Sequence, residues 1–237
     1  MIQKNITSVK ATLIFIVFTV YFFLLLHTLL PLLKSYFTIN SAVYWFITGY
    51  FLFIPLFVYA LIMSKHEGNK GIKKMMMALG IKSFTRKDWV YSIIGLLLAF
   101  IFTALVFGIT FFLSRYFGFR VLKTTPWFME MHPFQGIERL LLLIWFPMFF
   151  FNIVGEEILW RGYIQNRLKS KYSWMLCSML WMMFHLPFGI DLMITLIPVI
   201  IIIPYVFYKT KNTLVGIFIH GIYNGPIFVA VALGLIK

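Results

Sequence analysis

The sequence predicts an all-α, polytopic membrane protein of about seven transmembrane helices, with an interfacial basic helix between the second and the third. Of its 237 residues, 62% are hydrophobic and only 12% are charged, and the mean hydropathy is +0.92. A water-soluble protein of this length does not need so much apolar surface. The other two observations are a series of apolar stretches joined by short loops, and cations that flank those stretches.

The apolar stretches are read as helices because lipid offers no hydrogen-bond partner to unpaired backbone groups. A helix that crosses the bilayer needs ~20 apolar residues. In chain order the predicted spans cover residues 11–33, 41–63, 89–114, 137 into the 150s, 173–188, 191–208 and 213–236. No convincing internal repeat and no low-complexity linker divides the chain, so we predict a single membrane domain over residues 1–237.

The charge balance is strongly basic, with 21 Lys and Arg against 7 Asp and Glu. Because the cations flank apolar stretches and form no soluble block, they indicate membrane topology, and we expect no nucleic-acid partner. The loop 64–88 is rich in cations around a methionine-rich stretch, 72–79, which predicts a short helix on the anionic inner leaflet. The positive-inside rule predicts a cytoplasmic N-terminus and an outside C-terminus, since fifteen of the 21 cations then lie inside.

Two consecutive acids interrupt the fourth predicted span, where a carboxylate is costly and is kept for a fold or a reaction. Glu157 and Arg161 are four residues apart on one helix face, with the acid first, which favours an ion pair between them. Glu156 is rotated by about 100° from that pair. We therefore interpret Glu157 with Arg161 as structural, and Glu156 as the acid left free to act.

Two histidines stand beside polar or aromatic partners in later spans. His185 follows Trp181 by one turn, and His220 precedes Asn224 by one turn, so each pair shares a helix face. Counting residues from the predicted inner ends of the helices places Glu156, His185, His220 and Asn224 ~10 to 20 Å below the cytoplasmic surface. We therefore expect the four side chains to meet in one pocket close to the cytoplasmic side.

Such a group of side chains favours hydrolysis of a bond by water. A carboxylate can activate water, imidazoles can move protons or bind a metal, and an amide can stabilise an oxyanion. Glu156, His185 and His220 also match the ligand set of a catalytic zinc site. The sequence contains no HExxH motif, so Zn²⁺ and the absence of any cofactor both stay open at this point.

The three motifs together resemble those of the CAAX protease and bacteriocin-processing (CPBP or Abi) family, the type II CAAX prenyl endopeptidases. They are Glu156-Glu157-x-x-x-Arg161, an aromatic residue four before His185, and His220-x-x-x-Asn224. The similarity covers about residues 137–237. The second motif usually begins with phenylalanine, whereas here Trp181 takes that place.

The resemblance implies an intramembrane endopeptidase that is either glutamate-dependent or a metalloprotease. Glu156 would then activate water, and His185 and His220 would be catalytic or metal-binding. Asn224 would hold the oxyanion, while Glu157, Arg161 and Trp181 would support the site. The expected substrate is a peptide or a lipidated protein tail, processed as CAAX proteins, bacteriocins or pheromones are, and the expected location is a bacterial cell membrane.

Two other functions are compatible with the same polar residues. A non-catalytic bacteriocin self-immunity or scaffold protein would bind a peptide in the cavity without cleaving it. A proton-coupled transporter would also keep Glu, His and Asn inside the bilayer. Repeated halves, typical of many transporters, are not evident in this sequence.

Overall fold

The computed structural model describes residues 4–123, 125–129 and 132–235. Within these ranges the chain forms helices and no strands, as the sequence predicts. The helices, labelled α1 to α8 in chain order, are Ser8–Tyr36, Ser41–His66, Ile72–Ala78, Arg86–Phe117, Gly136–Gln165, Ser173–Phe184, Ile190–Thr210 and Thr213–Ala232. The short basic helix expected near residues 72–79 is present as α3.

Six of these helices, α1, α2, α4, α5, α7 and α8, are long and apolar enough to cross a membrane. The predicted count of seven is not confirmed, because α6 has only 12 residues and spans ~18 Å. Its predicted extension to residue 188 is a separate 3₁₀ turn, Leu186–Phe188. Pro187 has no N–H to continue the helix, and Gly189 follows at φ 96°.

Polar side chains cap several helices at the positions where the helices begin. Thr85 and Asp88 form a reciprocal capping box at the start of α4. The Asn212 side chain accepts a hydrogen bond from the Leu214 N–H at the start of α8. The first residues of these two helices lie close together, because the Asn212 side chain also donates to the Lys82 carbonyl oxygen, just before α4, at 3.1 Å.

The helix ends gather at two poles of the bundle. At the first, the Ile6 N–H donates to the Arg167 carbonyl, Arg167 pairs with Glu67 at 2.7 Å, and the Thr213 N–H donates to the Gly80 carbonyl. We call this pole the basic end, because its segments hold most of the cations. It comprises residues 4–10, 64–88, 166–172 and 208–213.

The other pole, which we call the opposite end, is held together in the same way. The Trp127 indole donates to the Pro187 carbonyl at 2.9 Å, and the Phe134 N–H donates to the Ala232 carbonyl at 2.7 Å. This pole comprises residues 37–40, 118–123, 125–129, 132–136, 187–191 and 232–235. The segments that the sequence groups as inside therefore lie together at one pole, and those grouped as outside lie at the other.

One continuous hydrophobic core joins the helices, from Ile6 near the chain start to Ala232 near its end. Within it α2 packs along α5, and α4 packs along α7 and α8. Gly155 permits the first contact, since a Cβ there would lie 2.9 Å from the Phe53 carbonyl oxygen. The two acids of the fourth predicted span, on α5, are thereby held at the centre of the bundle.

Candidate active site

Helix α5 changes its winding at the two acids. Leu141–Glu156 is α-helical, and Glu157–Gln165 is π-helical, a form frequent at functional sites. Glu157 and Arg161 form the ion pair that the sequence predicts, with Nε and Oε2 3.3 Å apart and both side chains fully buried. A buried pair of this kind neutralises two charges that neither lipid nor an apolar core could solvate.

Glu157 also has a second partner, on α8. Its Oε1 lies 3.0 Å from Nδ1 of His220, so the carboxylate bridges Arg161 and the histidine. An ionised carboxylate can only accept, so Nδ1 of His220 carries a hydrogen, and in the neutral form of the ring Nε2 is then an acceptor. Gly216 makes room for this contact, because a Cβ there would overlap Oε2 of Glu157.

Trp181 on α6 contacts more members of the site than any spacing in the sequence indicates. Its indole N–H donates to Oε2 of Glu156 at 2.6 Å, and its carbonyl oxygen lies 2.8 Å from Nδ1 of His185. The Arg161 guanidinium lies 3.6 Å from the centre of its ring, and the His220 ring packs against it edge to face. The phenylalanine usual in the family motif could not donate to Glu156.

The four side chains expected to meet do line one cavity of about 330 Å³. Glu156 and His220 lie at the end of the cavity nearer the basic end, which we call its floor, and His185 lines the wall close to Pro187. Asn224 lies one turn beyond His220 on the same helix. Most other lining residues are apolar or aromatic. Glu157 and Arg161 do not line the cavity and lie behind its floor.

Sequence reasoning missed several polar lining residues, which are Thr103, Thr125, Asn152, Thr195 and Tyr223. Asn152 lies four residues before Glu156 on the same face of α5, a spacing that could have identified it. Thr103 and Tyr223 bond to one another through their hydroxyls at 2.7 Å, across α4 and α8. No local signal identifies Thr103, because it stands alone in an apolar helix and its partner lies 120 residues away.

A metal was one option for this site. Within the residues that the structure describes, no group of three or more His, Cys, Asp or Glu side chains is arranged to hold a metal ion. The predicted set of Glu156, His185 and His220 is thus not in a ligating arrangement, although both imidazoles keep Nε2 for other uses. Zinc at this site stays a prediction.

The fold and the site together define a polytopic helical membrane protein whose core contains a largely apolar cavity with a few polar and ionisable groups. Residues 138–225 match the family model described as "Type II CAAX prenyl endopeptidase Rce1-like". This match covers less than half of the chain, and it supports the resemblance to the CAAX protease and bacteriocin-processing family that the motifs indicate. No curated protein and no solved structure gives a significant match.

The matched segment contains every residue that the motifs contribute to the site, from Glu156 to Asn224. The match supports, at family level, an intramembrane endopeptidase of the CAAX type with a peptide or protein as substrate. The first half of the chain lies outside the match. It nonetheless supplies Trp45, Phe53 and Thr103 to the cavity wall.

Proposed function

We propose that this chain is an intramembrane endopeptidase in which Glu156 activates water against a peptide bond of a membrane-associated peptide or protein tail. The observation that carries the proposal is the shared cavity of Glu156, His185, His220 and Asn224. Buried ionisable groups in a membrane protein mark functional sites by default, since each is costly to insert. The family match supports the same reaction class.

The hydrogen bonds of the two histidines suggest how water is held. The Trp181 carbonyl can only accept, so Nδ1 of His185 carries the hydrogen, and Nε2 is free to accept in a neutral ring. Glu157 imposes the same tautomer on His220. Two Nε2 acceptors beside the Glu156 carboxylate would orient a water molecule for deprotonation.

The chemical step then balances without a further reactant. Glu156 takes one proton from water, and the hydroxide oxygen bonds to the peptide carbonyl carbon. The Asn224 amide donates to the oxyanion that forms. Glu156 returns the proton to the amide nitrogen, the C–N bond breaks, and the products are a new carboxyl terminus and a new amine.

Hydrolysis is tested with the purified protein in lipid vesicles and a library of lipid-anchored peptides with varied tails. In H₂¹⁸O we expect new carboxyl termini that carry one ¹⁸O atom, because the water oxygen becomes part of the product. Vesicles without the protein are the control. Binding or transport of peptides with no labelled ends would contradict the proposal and favour the immunity or transporter function.

The same assay tests whether a metal is needed. We expect cleavage to continue after dialysis against a chelator, with less than stoichiometric zinc in the active protein, because Glu156, His185 and His220 are not arranged as a ligand set. The protein dialysed without chelator is the matched control. Loss of cleavage that Zn²⁺ restores would overturn the metal-independent reaction and favour zinc at these three residues.

A further inference from the structure

The cavity extends from the middle of the bundle toward one of its ends, as the lining residues of four helices show. On α2 the lining runs from Trp45 to Phe53, and on α5 from Trp145 to Glu156. On α7 it runs from Leu192 to Ile200, and on α8 from His220 to Val231. On α2, α7 and α8 this is the half that leads to the opposite end, whereas on α5 the lining extends past the middle of the helix to Glu156. No residue of the basic end contributes to the wall.

The floor is closed on the side of the basic end. Trp160, Arg161 and Tyr163 pack below Glu156 with almost no exposed surface. Gly162 lies so close to the Leu79 carbonyl that a Cβ there would overlap it, and the Thr213 hydroxyl donates to the same carbonyl at 2.6 Å. The loop after α3 therefore packs directly against α5 and α8 on this side of the floor.

The walls continue instead to the segment between α4 and α5. Thr125, Pro126 and Met129 line the cavity there, opposite Leu192 and Val231. Two lining residues are exposed, Thr125 in this segment and Ile227 near the end of α8, so the wall reaches the surface at both points, in the half of the molecule toward the opposite end. The mouth of the cavity accordingly lies at the opposite end.

The distribution of charge assigns the two poles to the two sides of the membrane. Fifteen of the 21 cations belong to the basic end or to the helix turns that lead to it. Short loops rich in Lys and Arg stay in the cytoplasm. The pole with the cavity mouth then faces away from the cytoplasm.

We propose that the substrate enters the cavity from the non-cytoplasmic face, so that it is an exported peptide or the outward-facing tail of a membrane protein. That the molecule entering the cavity is a substrate rests on the proposed function. The direction of entry rests on the cavity and the charges alone. It differs from the expectation that the pocket is reached from the cytoplasmic side. Glu156 does lie nearer the basic end along α5, nine residues from Gln165, but the route to it comes from the other side.

Cysteine labelling tests the direction of entry. Cys177 is the only cysteine and is buried, so a Cys177→Ala protein is a suitable background for single replacements. Thr125→Cys reports the mouth, Val231→Cys reports the cavity wall, and Lys74→Cys reports the exposed basic end. The probe is a charged methanethiosulfonate that does not cross membranes, applied to right-side-out and inside-out vesicles from the same cells.

We expect Thr125→Cys and Val231→Cys to react at least ten times faster in right-side-out vesicles, and Lys74→Cys at least ten times faster in inside-out vesicles. Reaction of Val231→Cys from the same side as Lys74→Cys would show an entrance through the basic end and overturn the proposal. The reversed pattern for all three would place the mouth in the cytoplasm and overturn it too. Lack of reaction at Val231→Cys from both sides would show a closed cavity, with the same consequence.

The outcome is independent of catalysis, because labelling needs no cleaved peptide. Labelling from the outer side with no ¹⁸O-labelled ends would reject the endopeptidase and keep the entrance. New peptide ends that carry ¹⁸O, together with cysteine labelling from the inner side, would keep the endopeptidase and reject the entrance. The two proposals can therefore fail separately.

Discussion

Replacement of Glu156 by glutamine is expected to lower the rate of ¹⁸O incorporation into new peptide ends by about 1000-fold or more. General-base catalysis contributes typically 10²–10⁴-fold, and the amide cannot take a proton from water. The glutamine oxygen can still accept the hydrogen bond from the Trp181 indole, which now reaches Oε2 of Glu156. We therefore expect the variant to fold and insert while losing the chemical step.

Glu138→Gln is the matched control, because it makes the same chemical change in the same helix, α5. Glu138 lies at the start of that helix, where it accepts a hydrogen bond from Asn40 and does not line the cavity. We expect its activity to stay within about threefold of the unchanged protein. If the Glu156→Gln protein turned over peptides at a tenth of the normal rate or faster, Glu156 would not be the base.

Replacement of Arg161 by methionine is expected to destabilise the protein by about 3–5 kcal/mol. Removal of one partner of a buried ion pair costs this much because the remaining charge is left without compensation. Here the remaining charge is Glu157, which is fully buried and retains only its contact with His220. The free energy of unfolding, measured by reversible titration with a denaturing detergent, is the readout.

A double variant separates the charge effect from the loss of packing. Glu157→Gln combined with Arg161→Met removes both charges, and we expect it to recover more than half of the stability that Arg161→Met loses. Recovery would be incomplete because the guanidinium also packs on the Trp181 ring. A double variant as unstable as the single one would mean that the uncompensated carboxylate is not the cause.

The Arg120–Asp191 pair provides the comparison for Arg161. Its Nη1 and Oδ2 lie 2.6 Å apart, closer than the atoms of the buried pair, yet the Arg120 side chain is 69% exposed. Exposed ion pairs contribute about 0–1 kcal/mol at most, so Arg120→Met should change stability little. Equal losses from Arg120→Met and Arg161→Met would show that burial does not determine the effect.

Local relations in the site could be predicted from spacing, because an α-helix fixes which residues share a face. The Glu157–Arg161 ion pair follows from a separation of four residues and is present. The position of Asn224 on the wall beside His220 follows from the same separation. Thr103 and Tyr223 could not be found in this way, since they meet only when α4 packs on α8.

Trp181 shows the boundary between the two kinds of information. Its place in the motif was visible from its distance to His185, and the carbonyl that it offers to that ring is a neighbour along the helix. Its hydrogen bond to Glu156 and its contact with Arg161 join α6 to α5. These contacts depend on how the two helices are rotated about their axes, which the spacing of either helix does not specify.

The sequence by itself determined that the chain is a helical membrane protein, which family it resembles, and which polar residues are too costly to keep without a use. It could do so because an apolar stretch in lipid must satisfy its own backbone hydrogen bonds, which a helix does, and because burying a charge in lipid is costly. Only the tertiary structure decided that the fifth predicted span is a 12-residue helix followed by a 3₁₀ turn, that Glu157 also contacts His220, and that the cavity wall extends to the opposite end. Those features arise from side chains of different helices that come together on packing, and no period along one helix encodes them.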